Sequence, residues 1–167
     1  KLAGFLHDQG KKDQRFQAWL HYGDPLGADP DDFKTVLAKS GRFLPPAARE
    51  QSGLPVNWRH EALSVRLARL HDRLSEAHDR DLVLWLVGSH HGYGRPLFPH
   101  DDPKENPPDV GPQSLAFEWG GMDWPNLFER LKARYGVWEL AHMEAILRLA
   151  DHRASEDARR NSEEAGA

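Results

Sequence analysis

The feature that most constrains the fold is an uninterrupted apolar run, Leu82-Val83-Leu84-Trp85-Leu86-Val87, which leads within three residues to two adjacent histidines. A segment that is apolar on every side has to be buried, as either a helix or a strand. Asp79 stands three residues before the run, where its side chain can cap the first amides of a helix. With helical patterns on both sides, this cap favours a buried helix that ends at His90 and His91.

Caps and apolar periodicity predict helices along nearly the whole chain and no convincing pair of strands. We therefore predict an all-α fold with a single helical domain over residues 1–154 and a polar tail or linker over 155–167. A long loop rich in proline and glycine is predicted over 92–121, and it could form a rim or lid. The predicted helix signals are a break at Gly10, N-caps at Asp13, Asp29, Asn57, Asp79 and Asp123, a face made by Leu63, Leu67, Leu70 and Leu74, and a last helix over about 137–154.

The composition narrows the chemistry that the chain can perform. Its 167 residues include no cysteine, which excludes disulfides, thiolate metal ligands and a cysteine nucleophile, and is compatible with a reducing cytoplasm. Ten histidines and a net charge of −4 mean that any metal would be held by imidazole and carboxylate, a set that suits Mn, Fe, Co, Ni or Zn. The mild acidity argues against a large basic groove for nucleic acid. No apolar run approaches a membrane span, and no signal peptide is visible.

The dipeptide His-Asp occurs four times, so the pair alone does not identify a site. His7-Asp8 is set apart by an apolar helix before it and by Gly10 and Lys11 after it. The other three, at His71-Asp72, His78-Asp79 and His100-Asp101, are predicted to be solvated helix, helix boundary and loop. Helix geometry excludes further combinations: His60 and His71 would lie roughly 16 Å apart along one helix, and His142 and Asp151 would point in opposite directions.

Four groups remain as candidate metal ligands: His7 with Asp8, His60 in the first turn of its helix, His90 with His91, and Asp151 beside an apolar stripe. Each has an ordinary structural explanation when taken alone, because single histidines are more often polar core or surface residues. Asp151 has Arg148 one turn away as an ion-pair partner. The functional interpretation therefore depends on the whole set occurring together.

This set resembles the HD phosphohydrolase superfamily, and within it the HD nuclease domain of the CRISPR type I helicase-nuclease; subtype I-G, formerly I-U, is the variant considered. The segments that carry the resemblance are His7-Asp8-Gln9-Gly10-Lys11, Trp58-Arg59-His60-Glu61, Ser89-His90-His91-Gly92 with Gly94-Arg95-Pro96, and Arg148-Leu149-Ala150-Asp151 with Ala154-Ser155. They span nearly the whole chain in the family's order.

The resemblance implies one or two divalent metals, with Mg²⁺ admitted beside the transition metals. It implies that His7, Asp8 and Asp151 hold the first metal, and that Asp8 bridges to a second one held by His60, His90 and His91. Asp8 and Lys11 would be catalytic, with Lys11 contacting the scissile phosphate or positioning a ligand. The family pattern begins with a further histidine on an earlier helix. Because the chain starts with Lys1 rather than Met, we expect that helix to be missing from the sequence shown; the alternative is that the first metal site is impaired.

The implied activity is metal-dependent hydrolysis of single-stranded DNA, fed by an attached or associated helicase and recruited by a guide-RNA surveillance complex (Cascade). Lys11, Arg59 and Arg95 flank the ligand segments and could bind the DNA backbone, although ordinary surface charge explains them equally well. Tyr93, Phe117, Trp119 and Trp124 could stack on bases or pack in the core. Two alternatives stay open: a nucleotide or cyclic-nucleotide phosphohydrolase, and a degenerate HD domain that serves as an interaction module.

Overall fold

The computed structural model describes residues 1–21, 36–41, 43–96, 100–104 and 124–165, with side chains to residue 161. This part of the chain is all-helical and contains no strand, which confirms the predicted fold class. No helix in the described ranges is both long enough and apolar enough to cross a membrane. The helices are α1 (Leu2–Leu6), α2 (Gln14–His21), α3 (Pro46–Gln51), α4 (His60–Leu70), α5 (Arg80–Ser89), α6 (Trp124–Tyr135) and α7 (Val137–Ala165), with 3-10 helices at Gln9–Lys12 and Asp72–Glu76.

Helix α5 lies at the centre of the larger core, as the apolar run predicts. Trp85 and Val87 are fully buried, and α5 contacts α1, α4, α6 and α7. The predicted cap is confirmed, because the carboxylate of Asp79 accepts from the Leu82 amide at 3.0 Å. The same carboxylate accepts from the Tyr135 hydroxyl at 2.7 Å, which fastens the end of α6 to the start of α5.

A smaller core forms on the other side of α4, where Phe16 and Leu20 of α2 pack against Trp58 and Leu63. The predicted cap of α2 is confirmed as well, since Asp13 accepts from the amides of Arg15 at 2.9 Å and Phe16 at 3.2 Å. Helix α4 therefore lies between two cores, with Leu63 in the smaller one and Val65 and Ala68 in the larger one.

Several predicted boundaries differ from the structure. Asn57 does not cap α4, which begins at His60; the Asn57 amide instead donates to Asp101 at 3.0 Å. Leu74 lies in the second 3-10 helix rather than in α4, because the chain turns at His71. Helix α7 continues to Ala165, well beyond residue 154. Residues 36–41, the first of which belong to the helix predicted to start at Asp29, are not helical. Asp29, Asp123, Phe117, Trp119 and most of the predicted 92–121 loop lie outside the described residues.

Gly10 has a different role from the predicted helix break. Helix α1 already ends at Leu6, and Gly10 lies inside the first 3-10 helix, where it is buried against the first turn of α4. Its amide donates to the Ser64 hydroxyl at 2.8 Å. A Cβ at this position would clash with the His60 carbonyl oxygen and lie 2.9 Å from the Ser64 amide nitrogen. Glycine is required here because two stretches of backbone touch.

We therefore expect Gly10→Ala to lower the free energy of unfolding by about 2–3 kcal/mol, since neither backbone can move without disturbing a core. Gly4→Ala is the matched control, because Gly4 lies within α1 and a Cβ there would meet the Leu147 side chain at an ordinary distance of 3.7 Å. That variant should be neutral or slightly stabilising, as alanine favours a helix over glycine. Urea unfolding of both variants measures the difference, and equal stabilities would contradict the close-approach explanation.

Candidate metal centre

The end of α1 places His7 and Asp8 at the surface of the larger core. His7 Nδ1 lies 2.9 Å from the Gly4 carbonyl oxygen, which can only accept, so Nδ1 carries a proton. His7 Nε2 then faces two carboxylates, with Asp8 Oδ2 at 3.3 Å and Asp151 Oδ1 at 3.2 Å. A lone pair and two anionic oxygens at this spacing need a cation between them, either a proton or a metal ion. Asp151 contacts His7 rather than Arg148, the ion-pair partner considered from the sequence.

The same arrangement recurs at His90 and His60. Where α5 ends, His90 Nδ1 lies 2.6 Å from the Val87 carbonyl oxygen, and His90 Nε2 faces Asp8 Oδ1 at 3.9 Å. At the start of α4, His60 Nδ1 lies 3.3 Å from the Glu61 carboxylate, and His60 Nε2 faces Asp8 Oδ1 at 3.4 Å. In each of the three imidazoles, Nδ1 is anchored to an oxygen and Nε2 is directed at Asp8.

Three atoms at the centre of this cluster are buried without a hydrogen-bond partner: Asp8 Oδ1, His60 Nε2 and His90 Nε2. Buried polar atoms normally have partners, so three that face one another indicate a missing shared one. Ligands of one transition metal lie about 2.0–2.2 Å from the ion, which sets neighbouring ligand atoms roughly 3–4 Å apart. The residues therefore fit a divalent metal.

His91 completes a second face of the cluster. Its ring lies 4.1 Å from that of His90 and 5.1 Å from that of His60. Two sets of possible ligand atoms each lie within 4.8 Å of one another: His60, His90 and His91 form one set, and His7, Asp8 and His90 form the other. The structure thus brings together all six residues that the sequence singled out as metal ligands.

The electrostatics of the cluster suit metal ligation. Burial raises the pKa of Asp8, but the neighbouring His60, Lys11 and His7 lower it more, so its pKa lies below the usual range and the side chain is a carboxylate. Burial, followed by the charge of His91, lowers the pKa of His90 to about 3, which keeps that imidazole neutral. A carboxylate and a neutral imidazole are the forms that bind metal.

The three residues predicted to bind substrate occupy different settings. Lys11 donates to Asp8 Oδ2 at 2.8 Å. The Arg59 guanidinium lies 3.6 Å from the centre of the Tyr93 ring, at the edge of the cluster. Arg95 forms an ion pair with Glu144, a carboxylate of α7 that is 3% exposed. Their contact with a substrate stays a prediction.

Sequence reasoning missed the residues that fix the start of α4. The Arg59 amide donates to His100 Nδ1 at 3.0 Å, and His100 Nε2 lies 2.8 Å from Asp102. Asp102 in turn accepts from both terminal nitrogens, Nη1 and Nη2, of the Arg66 guanidinium on α4. His100 was classed as a loop residue. A signal was present in Arg66, because an arginine that falls on the buried side of a helix needs a carboxylate.

Glu61 was also missed as a functional residue, although it belongs to a segment that carries the resemblance. Its carboxylate is 2% exposed and lies 3.3 Å from His60 Nδ1. Histidines that bind metals commonly give their second ring nitrogen to such a carboxylate, which fixes the tautomer and the direction of the ring. Its position directly after His60 was the available signal.

Comparison with known proteins agrees with this geometry. The family model described as "Cas3, HD domain" matches residues 2–164, nearly the whole chain and every residue of the cluster. No curated protein and no solved structure matches the chain significantly. The breadth of the family match, together with the histidine and aspartate cluster, shows that the chain belongs to the family of Cas3 HD domains.

Proposed function

We propose that this HD domain hydrolyses phosphodiester bonds of single-stranded DNA in type I CRISPR interference. Family membership supports an HD-type metal-dependent hydrolase in a CRISPR context. The observation that carries the catalytic proposal is the convergence of His7, His60 and His90 Nε2 atoms on the half-buried carboxylate of Asp8, with three of the atoms buried and unpartnered. A set of ligands that a cation would satisfy is what such a hydrolase requires.

The proposed ligands are His7, Asp8, His60, His90, His91 and Asp151. When bound, divalent metal supplies a Lewis acid for the phosphate and a water of lowered pKa as the nucleophile. Asp8 would bridge two ions, a role that its two oxygens support, since Oδ1 faces His60 and His90 while Oδ2 faces His7 and Lys11. Lys11 holds Asp8 in this orientation and brings a positive charge within reach of a phosphate beside it. The Nδ1 anchors keep each imidazole aimed at the cluster during turnover.

The partners belong to the same proposal. A helicase, attached or associated, would deliver a single strand, and a guide-RNA surveillance complex would recruit it in the cytoplasm. Because the chain carries a net charge of −4, the strand would be held by individual positively charged side chains near the site and not by a broad basic groove. Subtype I-G is part of the proposal too.

Asp8→Ala should abolish cleavage of a fluorescent single-stranded oligonucleotide that wild type cleaves with a transition metal, tested across Mg²⁺, Mn²⁺, Co²⁺, Ni²⁺ and Zn²⁺. The reason is that Asp8 is shared by all three converging imidazoles. Asp72→Ala is the matched control, because Asp72 belongs to another His-Asp pair but is exposed in the second 3-10 helix. It should keep the wild-type rate.

The same assay separates the alternatives. Equal activity of Asp8→Ala and wild type would refute the site. Hydrolysis of nucleotides or cyclic nucleotides without DNA cleavage would establish the nucleotide phosphohydrolase instead. A protein that binds no metal and cleaves nothing would be an interaction module, which metal content after purification decides.

Glu61→Gln should weaken metal binding by about 10-fold, because it keeps the shape but removes the charge that orients His60. Titration with Mn²⁺ in competition with a chelating dye measures this without any substrate. Glu76→Gln, an exposed glutamate paired with Arg73, should bind metal as wild type does. An unchanged affinity in Glu61→Gln would show that the carboxylate does not support the site.

A further inference from the structure

A cleft of about 300 Å³ opens directly beside the metal centre. His60 and His91 form part of its wall, so anything bound in it adjoins the metal ligands. The remaining wall consists of aromatic rings and arginines, with one carboxylate: Phe16, Trp19, Arg49, Trp58, Arg59, Glu61 and Tyr93. This combination of cations and ring faces next to a phosphodiesterase site points to a ligand that carries both a phosphate and a planar ring.

The cleft holds two arginines, and one of them, Arg49, has only neutral hydrogen-bond partners in the described part of the chain. Arg59 lies 3.9 Å from Glu61, but that carboxylate also faces His60 at 3.3 Å. Arg49 donates to the carbonyl oxygens of Pro55 and Trp58, both neutral, and has no carboxylate partner in the described part of the chain. Both arginines line the cleft, and burial and then the positive charge of Arg59 lower the pKa of Arg49. An anion bound between the two guanidinium groups would meet both positive charges.

An arginine covers one face of each of two rings in the cleft. Arg59 lies 3.6 Å from the centre of the Tyr93 ring, and Arg49 lies 4.9 Å from that of Trp19. Tyr93 remains 44% exposed although it is a large aromatic residue. Trp124 is different: it is 1% exposed and packs in the core, so of these two candidates for base stacking only Tyr93 is accessible.

The backbone presents Tyr93 to the cleft in a defined way. Gly92 and Gly94 on either side have φ values of 87° and 84°, in the left-handed region that other residues rarely adopt. The Gly94 carbonyl accepts from the buried Trp124 indole at 2.7 Å, which fastens the segment to α6. Because the backbone on both sides of the exposed ring is already fixed, stacking a base on Tyr93 would cost little conformational entropy.

We propose that this cleft binds one nucleotide of the DNA strand next to the scissile phosphate, with its phosphate between Arg49 and Arg59 and its base stacked on Tyr93. The inference rests on the proposed nuclease function and names how the strand is held. Stacking on an aromatic ring accepts any base, so the cleft would bind the strand without reading its sequence. It would contribute to substrate binding and leave the chemical step to the metal centre.

The test compares Tyr93→Leu and Arg49→Gln with wild type in two assays, cleavage of a thymidine oligonucleotide and titration with Mn²⁺ in competition with a chelating dye. Tyr93→Leu should raise KM for the oligonucleotide about 10-fold, within the range of one base stacked on an aromatic ring, with kcat unchanged. Both variants should bind Mn²⁺ as wild type does. Trp138→Leu, which removes an aromatic residue that is 85% exposed on α7, should change neither the KM nor the Mn²⁺ affinity.

An oligonucleotide with abasic sites separates the two parts of the cleft. Tyr93→Leu should no longer differ from wild type on it, whereas Arg49→Gln should still raise KM. An unchanged KM on the normal oligonucleotide in both variants would overturn the inference, and so would an equal loss of Mn²⁺ affinity, which would mean damage to the metal centre.

A binding measurement tests the cleft independently of the proposed nuclease function. Anisotropy of a labelled oligonucleotide, measured with Asp8→Ala protein with and without Tyr93→Leu, detects the cleft without any cleavage. Binding weakened by Tyr93→Leu supports the cleft even if wild type cleaves no DNA. Binding that Tyr93→Leu leaves unchanged refutes the cleft even if the nuclease is active.

Discussion

The contact of Gly10 with the first turn of α4 is the constraint on which the site depends. Asp8 precedes Gly10 by two residues, and His60 begins α4, so the hydrogen bond from the Gly10 amide to Ser64 sets the distance between them. Any side chain at residue 10 would push the two backbones apart. The 3.4 Å between Asp8 Oδ1 and His60 Nε2 is therefore a consequence of backbone packing. The two hydrophobic cores, one on each side of α4, stabilise this backbone contact by fixing the position of the helix.

The three imidazoles are oriented by the contacts of their Nδ1 atoms, on the side of each ring opposite Asp8. His7 and His90 both use a carbonyl oxygen three residues earlier in the chain, at Gly4 and Val87, which a helix end leaves free. His60 stands at the start of a helix, where no such carbonyl is available, and uses the Glu61 carboxylate instead. The position of each histidine relative to its helix thus decides which kind of group orients it.

The sequence predicted the features that depend on local pattern. The buried α5, its Asp79 cap and the Asp13 cap follow from residues close together in the chain, and the structure confirms them. The start of α4 was placed wrongly because Asn57 is a good capping residue that finds a distant partner, Asp101. The link from Arg66 through Asp102 to His100 spans a loop, and spacing along the chain gives no information about such contacts.

The convergence of the six proposed ligand residues, and their proposed division between two metals, came from family resemblance and not from spacing, and the geometry bears on that division. His90 belongs to both compact sets of ligand atoms, yet its single free Nε2 can bind one ion. If His90 serves the ion beside His60 and His91, the other ion keeps His7 and Asp8 and needs a further ligand. Asp151 Oδ1, 3.2 Å from His7 Nε2, is the carboxylate in position to supply it. Under this proposed division, Asp151 on α7 would decide whether the centre can hold two ions or one.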